Sequence, residues 1–233
     1  MLIGGIMNKK IDSTAIIYEG CKIHSSVKIG SYSIIYPGVI IRRGVTIGDH
    51  AIIGKKPRVG KNQMKLKDLS NVTSIGENVI IGSHVIIYSG SKIGKNCYFA
   101  DKCFIREGVD VKDNVVVGTG VIISYNAKIS SNVKIMTYSN IGGNMEIGAN
   151  SFIGAHVCSV NDNLMDVDRP RSEMRSAKIG NHVLIGSNST LLPEIFIESD
   201  NIIGAGSVVT KSIEGKNGLY LGIPARKVRD IKK

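Results

Sequence analysis

The residues best suited to chemistry include a few histidines, because the ordinary pKa of histidine lies near neutrality and it is the commonest general base in group transfer. The chain has five. His156 stands directly before a long polar stretch and is a candidate catalytic residue, and His84 is a candidate for binding a substrate.

The polar stretch that follows begins Val160-Asn161-Asp162-Asn163 and contains Arg169-Pro170-Arg171. Polar, proline-containing segments cannot continue a buried core and leave a fold as surface loops, where ligand contacts concentrate. Asn161 and Asp162 are therefore candidate catalytic residues, and Arg169 and Arg171 are candidates for binding substrate.

The net charge of +11 predicts an anionic ligand. Nucleic acid is the usual inference from a basic chain, but aromatic residues make up only 5% and no nucleic-acid module is recognisable. A small phosphorylated anion fits better, and solvated surface charge is the alternative. The basic residues cluster at Lys55, Lys56, Arg58, Lys61, Lys65 and Lys67, and again at Arg226, Lys227, Arg229, Lys232 and Lys233.

A six-residue repeat must position all of these residues. Every sixth residue is apolar from Ile11 to Val59, from Ile75 to Ile153 and from Ile179 to Val209. A period of six fits neither a helix nor a single amphipathic strand, so it indicates a structural repeat. We call these apolar residues the repeat positions.

The spacing within each hexad predicts one short strand and one corner. Four residues after most repeat positions comes a small or β-branched residue, on the same inward face. Glycine often follows the repeat position directly, and Gly, Asn and Asp then fill the turn, because tight corners need positive φ. Three cysteines, Cys21, Cys97 and Cys103, occupy the small inward position and are expected to be core thiols, while Cys158 does not. His50, His84, His156 and His182 all fall at an outward corner position.

This pattern resembles the hexapeptide-repeat family. The resemblance implies an all-β fold, a left-handed parallel β-helix of triangular section with three hexads per coil and nearly ten coils, about 45 Å long. The handedness rests on the resemblance, since parallel crossovers are generally right-handed. Residues 1–10 would be a lead-in, residues 11–211 the β-helix domain, and residues 212–233 a basic C-terminal segment.

Two interruptions of the repeat predict two protruding loops, residues 60–74 and 160–178. The first follows Val59, and the second follows Ser159 if Ser159 takes the next repeat position. With three hexads per coil, both loops then leave the same edge of the prism, five coils apart.

The resemblance also implies an activity. Hexapeptide-repeat proteins are mostly CoA-dependent acyltransferases that work as homotrimers, with active sites between adjacent prisms. The closest match is Ile203-Gly204-Ala205-Gly206-Ser207-Val208-Val209-Thr210-Lys211, followed by Gly222-Ile223-Pro224-Ala225-Arg226-Lys227-Val228. The residues assigned to the acetyl-CoA groove on this basis are Gly186, Ser187, Gly204, Ala205, Lys211, Pro224, Ala225 and Arg226.

The acceptor site departs from two branches of the family. The galactoside and maltose acetyltransferases place a catalytic histidine where this chain has Val160-Asn161-Asp162-Asn163, and the sialic-acid-type enzymes place one where it has Tyr125-Asn126. The chain is more similar to nucleotide-amino-sugar N-acetyltransferases with an Asn-Asp pair at the loop mouth. Their acceptor is an amine, which needs less help from a base than a hydroxyl does. Asn126 joins the catalytic candidates, across a subunit boundary, and Arg106 and Glu107 join the substrate-binding candidates. The alternatives are that Asn161 and Asp162 are ordinary turn residues, that Asn126 only forms a corner, and that Arg106 and Glu107 form a surface ion pair.

We therefore expect a cytoplasmic acetyl-CoA-dependent acetyltransferase that acts on a sugar, with the amine of a nucleotide-linked amino sugar favoured. A sugar O-acetyltransferase and a non-catalytic β-helix scaffold are the alternatives. We expect no metal, because no two histidines are five residues apart as in the zinc-dependent carbonic anhydrases of this fold. We also expect no nucleic-acid partner and no membrane insertion, since no apolar run is long enough to span a bilayer.

Overall fold

The computed structural model describes residues 10–58, 70, 72–165 and 173–231, and these form a parallel β-helix of about ten coils. Except at the C-terminal end, each strand pairs in parallel with the strand three places further along the chain, so the strands make three sheets. No helix occurs among the described residues. The prediction of an all-β, left-handed β-helix is confirmed.

The strands are short, and their bounds follow the six-residue repeat. The first sheet contains β1 (Ile16–Ile17), β4 (Ile34–Ile35), β7 (Ile52–Lys55), β10 (Ile86–Tyr88), β13 (Phe104–Ile105), β16 (Ile122–Ile123), β19 (Asn140–Ile141), β22 (Cys158–Ser159), β25 (Thr190–Leu191) and β28 (Val208–Val209). The second sheet contains β2 (Lys22–Ile23), β5 (Val39–Ile41), β8 (Thr73–Ile75), β11 (Lys92–Ile93), β14 (Asp110–Val111), β17 (Lys128–Ile129), β20 (Glu146–Ile147), β23 (Lys178–Ile179) and β26 (Phe196–Ile197). The third sheet contains β3 (Lys28–Ile29), β6 (Thr46–Ile47), β9 (Ile80–Ile81), β12 (Tyr98–Phe99), β15 (Val116–Val117), β18 (Lys134–Ile135), β21 (Phe152–Ile153), β24 (Leu184–Ile185), β27 (Ile202–Ile203), β29 (Gly218–Leu221) and β30 (Arg226–Asp230).

The core consists of stacked repeat positions. Ile87, Ile105 and Ile123, for example, follow one another in the first sheet and are fully buried. Burying each such side chain stabilises the fold by about 1.5–3 kcal/mol. The small residue four places later fills the corner beside them, as Val109 and Val121 do.

The corners confirm that glycine, asparagine and aspartate fill turn positions where φ is positive. Positive φ falls on the third residue after the repeat position, as at His84 (58°), Asn126 (56°) and Gly108 (68°). Glycine directly after the repeat position has another cause. A Cβ on Gly154 would lie 2.6 Å from the backbone nitrogen of Ser187 in the next coil. These glycines therefore let adjacent coils approach closely.

The three edges of the prism differ in their turn residues. The loop edge, between the first and second sheets, carries Gly90, Gly108, Asn126, Asn144 and both interruptions of the repeat. The asparagine edge, between the second and third sheets, carries Asn78, Asn96, Asn114, Asn132 and Asn150, whose side chains form a hydrogen-bonded ladder. The aromatic edge, between the third and first sheets, carries Tyr32, His50, His84, Tyr138 and His156.

The register corrects one step of the sequence interpretation. Ile75 pairs with Ile41 on one side and Ile93 on the other, so it is the repeat position that directly follows Ile53. Val59, which lies outside the described residues, was therefore wrongly counted, and the first interruption is six residues longer than predicted. Ser159 does take a repeat position, beside Leu191. Both interruptions still fall on the loop edge, five coils apart.

The C-terminal part extends the prism beyond Lys211. Strand β29 adds to the third sheet in parallel with β27, and β30 then pairs with β29 in the antiparallel direction. The turn between them contains a cis peptide bond before Pro224. The last coil is thus covered by a hairpin whose outer strand is fully exposed.

The cysteines follow the inward pattern with one exception. Cys97 and Cys103 are buried, and burial raises the pKa of their thiols to about 11 and about 12. Cys21, in the first coil, is only half-buried, as is Cys158. No helix of the described residues is long and apolar enough to cross a membrane.

Ser159 is an exception in the core and yields a prediction. It sits at a repeat position, is 3% exposed, and its hydroxyl has no hydrogen-bond partner among the described residues. A buried unsatisfied hydroxyl costs about 1–3 kcal/mol. Ser159→Val should therefore raise the free energy of unfolding by about 1 kcal/mol in denaturant titrations.

Ser189 provides the matched control. Its hydroxyl is also buried but donates to the carbonyl oxygens of Gly186 and Gly204, at 2.8 and 3.1 Å. Ser189→Val should lower the free energy of unfolding. If both substitutions destabilise equally, the hydroxyl of Ser159 is satisfied in solution.

Candidate functional site

The loop edge holds a shallow groove between the two interruptions of the repeat. The groove has a volume of about 420 Å³, and it is lined by Ser70, Gly90, Lys92, Gly108, Val109, Asp110, Asn126 and Lys128. The absence of side chains on the two glycines opens the edge, while the lysines and the aspartate line the floor with mixed charge. A polar, charged ligand suits such a surface better than an apolar one.

Arg106 and Glu107 lie at the same edge, in the coil before Asn126. Glu107 is only 1% exposed, and its two carboxylate oxygens accept hydrogen bonds from Arg106 Nε at 2.7 Å and from a terminal guanidinium nitrogen at 2.9 Å. The guanidinium also lies 5.6 Å from the ring centre of Tyr88. The alternative of a surface ion pair is wrong, because the carboxylate is buried. The half-buried Arg106 retains further N–H groups for an anionic ligand.

Asn126 connects this pair to the second interruption. Its backbone N–H donates to Glu107 O at 3.0 Å, and its side-chain amide donates to Asn144 Oδ1 at 3.3 Å. Asn144 in turn donates to the carbonyl oxygen of Met174 at 3.0 Å. Asn126 therefore forms the corner, as the alternative reading held, and its exposed side chain also stands at the groove.

Asn161 and Asp162 lie where the chain leaves the prism. Asn161 donates from Nδ2 to the hydroxyl of Tyr125 at 3.2 Å, and its carbonyl oxygen accepts from the backbone N–H of Arg175 at 3.2 Å. Asp162 Oδ1 accepts from the backbone N–H of Leu164 at 3.0 Å, which stabilises the turn. The structure thus brings Asn161 near Asn144 and Asn126, through Tyr125 and Met174.

Tyr125 was not among the predicted site residues, although it stands beside Asn126 in the sequence. It is 9% exposed, and its hydroxyl donates to Met174 Sδ at 3.4 Å. The repeat gives no sign of this contact, since the two residues lie 49 positions apart. The one available signal was an aromatic residue next to a candidate corner asparagine.

The candidate histidines lie on another edge. His84 stacks on His50 with ring centres 5.0 Å apart, and His156 stacks on Tyr138 at 5.5 Å. Both are exposed on the aromatic edge, so a single prism does not bring them together with Asn126 and Asn161.

Four of the predicted CoA-groove residues also lie on the aromatic edge, and the others lie close to the last coil. Gly186 and Ser187 follow β24, and Gly204 and Ala205 follow β27 one coil later. Ala225 donates its N–H to Val208 O at 2.8 Å, which holds the exposed Pro224 and Arg226 against the last coil. Lys211 is exposed after β28.

Backbone amides at this corner are available for a ligand. At some corners a side chain one coil further on accepts the N–H, as Asp101 accepts from Ser83 at 2.8 Å, whereas toward the C-terminal end of the aromatic edge the N–H groups of Thr137 and Ala155 have no acceptor among the described residues. One coil beyond Ser187 stands Ala205, which has no side-chain acceptor. The backbone N–H groups of Ser187 and Ala205 have no acceptor among the described residues.

Two predicted substrate-binding residues, Arg169 and Arg171, lie outside the described residues. Among the residues that are described, no group of three or more histidine, cysteine or acidic side chains could hold a metal ion.

Comparison with known families identifies the repeat. The profile described as bacterial transferase hexapeptide (six repeats) matches residues 73–107 and 176–211. A second profile, the hexapeptide repeat of succinyl-transferase, matches residues 91–125. The chain is 43% identical over 65 residues to galactoside O-acetyltransferase of Escherichia coli strain K12, covering 27% of this chain. It spans about a third (32%) of the length of that relative.

Solved structures share the fold. UDP-N-acetylglucosamine acyltransferase from Campylobacter jejuni is 19% identical, with a TM-score of 0.62 over 95% of this chain and 75% of that one. AntD, an N-acyltransferase from Bacillus cereus, is 25% identical, with a TM-score of 0.53 over 61% of this chain and 84% of that one. The AntD structure contains dTDP-4-amino-4,6-dideoxyglucose and coenzyme A.

The buried ion pair yields a prediction about stability. Removing one partner of a buried pair costs about 3–5 kcal/mol, because the other charge stays buried without compensation. Arg106→Met should therefore lower the free energy of unfolding by about 3 kcal/mol. Lysine cannot reproduce the two parallel hydrogen bonds, so Arg106→Lys should recover only part of this loss.

The double variant Arg106→Met/Glu107→Gln should be more stable than Arg106→Met alone, since no buried charge remains. Denaturant titrations of the wild type, Arg106→Met, Glu107→Gln and the double variant complete the double-mutant cycle. Additive losses would show that the two side chains are not coupled in solution.

Proposed function

We propose that this chain, which belongs to the hexapeptide-repeat family, is an acyltransferase that transfers an acetyl group from acetyl-CoA to a sugar. The favoured acceptor is the amine of a nucleotide-linked amino sugar. The observation that carries the proposal is the pair of open backbone amides at Ser187 and Ala205, on a corner otherwise made of small residues.

The corner suits the pantetheine arm of CoA for physical reasons. Gly186, Gly204 and Ala205 leave room for an extended chain along the edge, and the free N–H groups match the amide carbonyls of that arm. Lys211 and Arg226 are exposed on the neighbouring segments and can meet the phosphates. These residues therefore fit the co-substrate.

The loop edge suits the acceptor. Asn126 and Asn161 offer amide groups to a sugar, and Arg106 offers charged N–H groups to its phosphates. In the reaction, the neutral amine nitrogen attacks the thioester carbonyl, a C–N bond forms, the C–S bond breaks, and the sulfur leaves to become the CoA thiol as the nitrogen loses its proton. AntD, which has an amino sugar linked to dTDP bound together with coenzyme A, supports this choice of acceptor.

We further propose a homotrimer with sites between subunits. The two groups of candidate residues lie on different edges, the loop edge and the aromatic edge, so a complete site needs two copies of the chain. Several outward residues of the third sheet are apolar and exposed, including Ile80 (49%), Tyr98 (43%) and Leu184 (42%). Apolar surface of this extent is typical of an interface. The four free cysteines fit the cytoplasm.

The match with galactoside O-acetyltransferase favours a second candidate, a sugar O-acetyltransferase. That activity needs a base for the hydroxyl. His156 is the candidate, and it would have to reach the acceptor from a neighbouring copy. A non-catalytic scaffold is the third possibility, and it differs from both enzymes in predicting no saturable response to acetyl-CoA.

Release of free CoA with a panel of acceptors tests the activity. We expect turnover with acetyl-CoA and nucleotide-linked amino sugars, and none with the same sugars when a hydroxyl replaces the amine. Reactions without acceptor are the control, because the protein's own four free thiols react with thiol reagents. Turnover with hydroxyl acceptors alone would contradict N-acetyl transfer, and no saturable response to acetyl-CoA would favour a scaffold.

Light scattering during size-exclusion chromatography tests the assembly. We expect Leu184→Glu and Phe152→Glu to convert the trimer to monomers, because each would bury a charge in the third-sheet interface. Lys22→Glu, a charge reversal on the exposed second sheet, is the control and should leave the trimer intact. Trimers that persist in both third-sheet variants would show that this sheet is not the interface.

A further inference from the structure

A cluster of side chains at the base of the second interruption fixes the orientation of one amide. Nδ2 of Asn161 donates to the hydroxyl of Tyr125 at 3.2 Å and faces Met174 Sδ at 3.7 Å. The Tyr125 hydroxyl donates its own proton to the same sulfur at 3.4 Å. The hydrogen bonds therefore run from the Asn161 amide to the Tyr125 hydroxyl and from both of these groups to the Met174 sulfur.

The sulfur decides which way the Asn161 carboxamide points. A thioether has lone pairs and no proton, so it accepts hydrogen bonds and cannot donate them. The Tyr125 hydroxyl donates its one proton to Met174, so it acts as the acceptor in its hydrogen bond with Asn161. In this arrangement both neighbours take the NH₂ side of the carboxamide, whereas a flipped amide would set Oδ1 against the thioether and could bond Tyr125 only if the hydroxyl gave up its bond to Met174.

Tyr125 and Met174 are themselves held firmly. A Cβ on Gly143 would lie 2.6 and 2.7 Å from two carbons of the Tyr125 ring, so the ring packs directly on the backbone of the next coil. Met174 is tied to the prism through its carbonyl oxygen, which accepts from Asn144 at 3.0 Å. Arg175 N–H donates to Asn161 O, which closes the base of the loop.

We propose that Tyr125 and Met174 are positioning residues that turn Oδ1 of Asn161 toward the acceptor. The oxygen lies on the side of the carboxamide away from both groups and has no donor among the described residues. It would accept a hydrogen bond from the nucleophilic N–H group and so align the nitrogen lone pair for attack. This rests on the proposed function and concerns how that site holds an amine; Asn161 takes no proton.

Steady-state kinetics of the full chain tests the inference, with acetyl-CoA and the acceptor that gives turnover. Tyr125→Phe keeps the packed ring but loses the hydroxyl, so the carboxamide is free to rotate. We expect the KM for the acceptor to rise roughly 5- to 30-fold, the effect of one hydrogen bond, with the KM for acetyl-CoA unchanged. Met174→Leu, which keeps the volume but loses the acceptor, should act in the same direction.

The decisive measurement is the double variant. If Tyr125 acts through Asn161, then Tyr125→Phe/Asn161→Ala should have the acceptor KM of Asn161→Ala alone. Tyr32→Phe, an exposed tyrosine on the aromatic edge, is the matched control and should behave as wild type. Thermal unfolding checks that each variant folds.

The outcomes separate the inference from the function it depends on. Wild-type turnover with additive effects of Tyr125→Phe and Asn161→Ala, or with Tyr125→Phe equal to wild type, would overturn the positioning role alone. A rise in the KM for acetyl-CoA together with the acceptor KM would show a general structural effect and overturn it as well. Absence of turnover with every acceptor would overturn the proposed function and this inference together.

Discussion

Each coil of this protein is bound to the next by parallel backbone pairing at a fixed separation, as between Ile86 and Phe104, and everything else in the structure depends on that register. A coil with one residue more or less would turn its apolar residues out of the core. Extra residues must therefore leave the prism and return at the point of departure. The hydrogen bond from Arg175 N–H to Asn161 O closes the base of the second interruption in this way.

The same register made most of the fold readable from the sequence. It fixed which isoleucines are buried, that Cys97 and Cys103 face inward, and that His84 and His156 stand at exposed corners. It misled at Val59, because an apolar residue at the right spacing looks like a repeat position whether or not it pairs. Pairing is a contact between distant segments, and only the structure shows that Ile75 follows Ile53.

The site was less readable for a related reason. Asn161 was found because it falls at a break in the period, whereas Asn126 and the Arg106–Glu107 pair were found through the family resemblance. Tyr125 was missed because it breaks no pattern, and its partner Met174 lies within the interruption at no fixed spacing. The burial of Glu107 was also hidden, since a charged residue beside an arginine is usually exposed. What a period cannot specify is the contact between a coil and a loop that has left it.

Two edges carry successive corner asparagines, and they show that the same turn residue can either stabilise the fold or leave hydrogen-bonding groups for a ligand. On the asparagine edge, each amide from Asn78 to Asn132 donates to the next, so the ladder consumes its own hydrogen-bonding groups. On the loop edge the run is short, because the interruption follows Asn144 and its amide turns to a loop carbonyl. Breaking the ladder therefore does more than add a loop, since it leaves Asn161 with an acceptor oxygen that no neighbouring coil engages. On a rigid solenoid, a binding site can form where the hydrogen-bonding groups of one coil are no longer paired with those of the next.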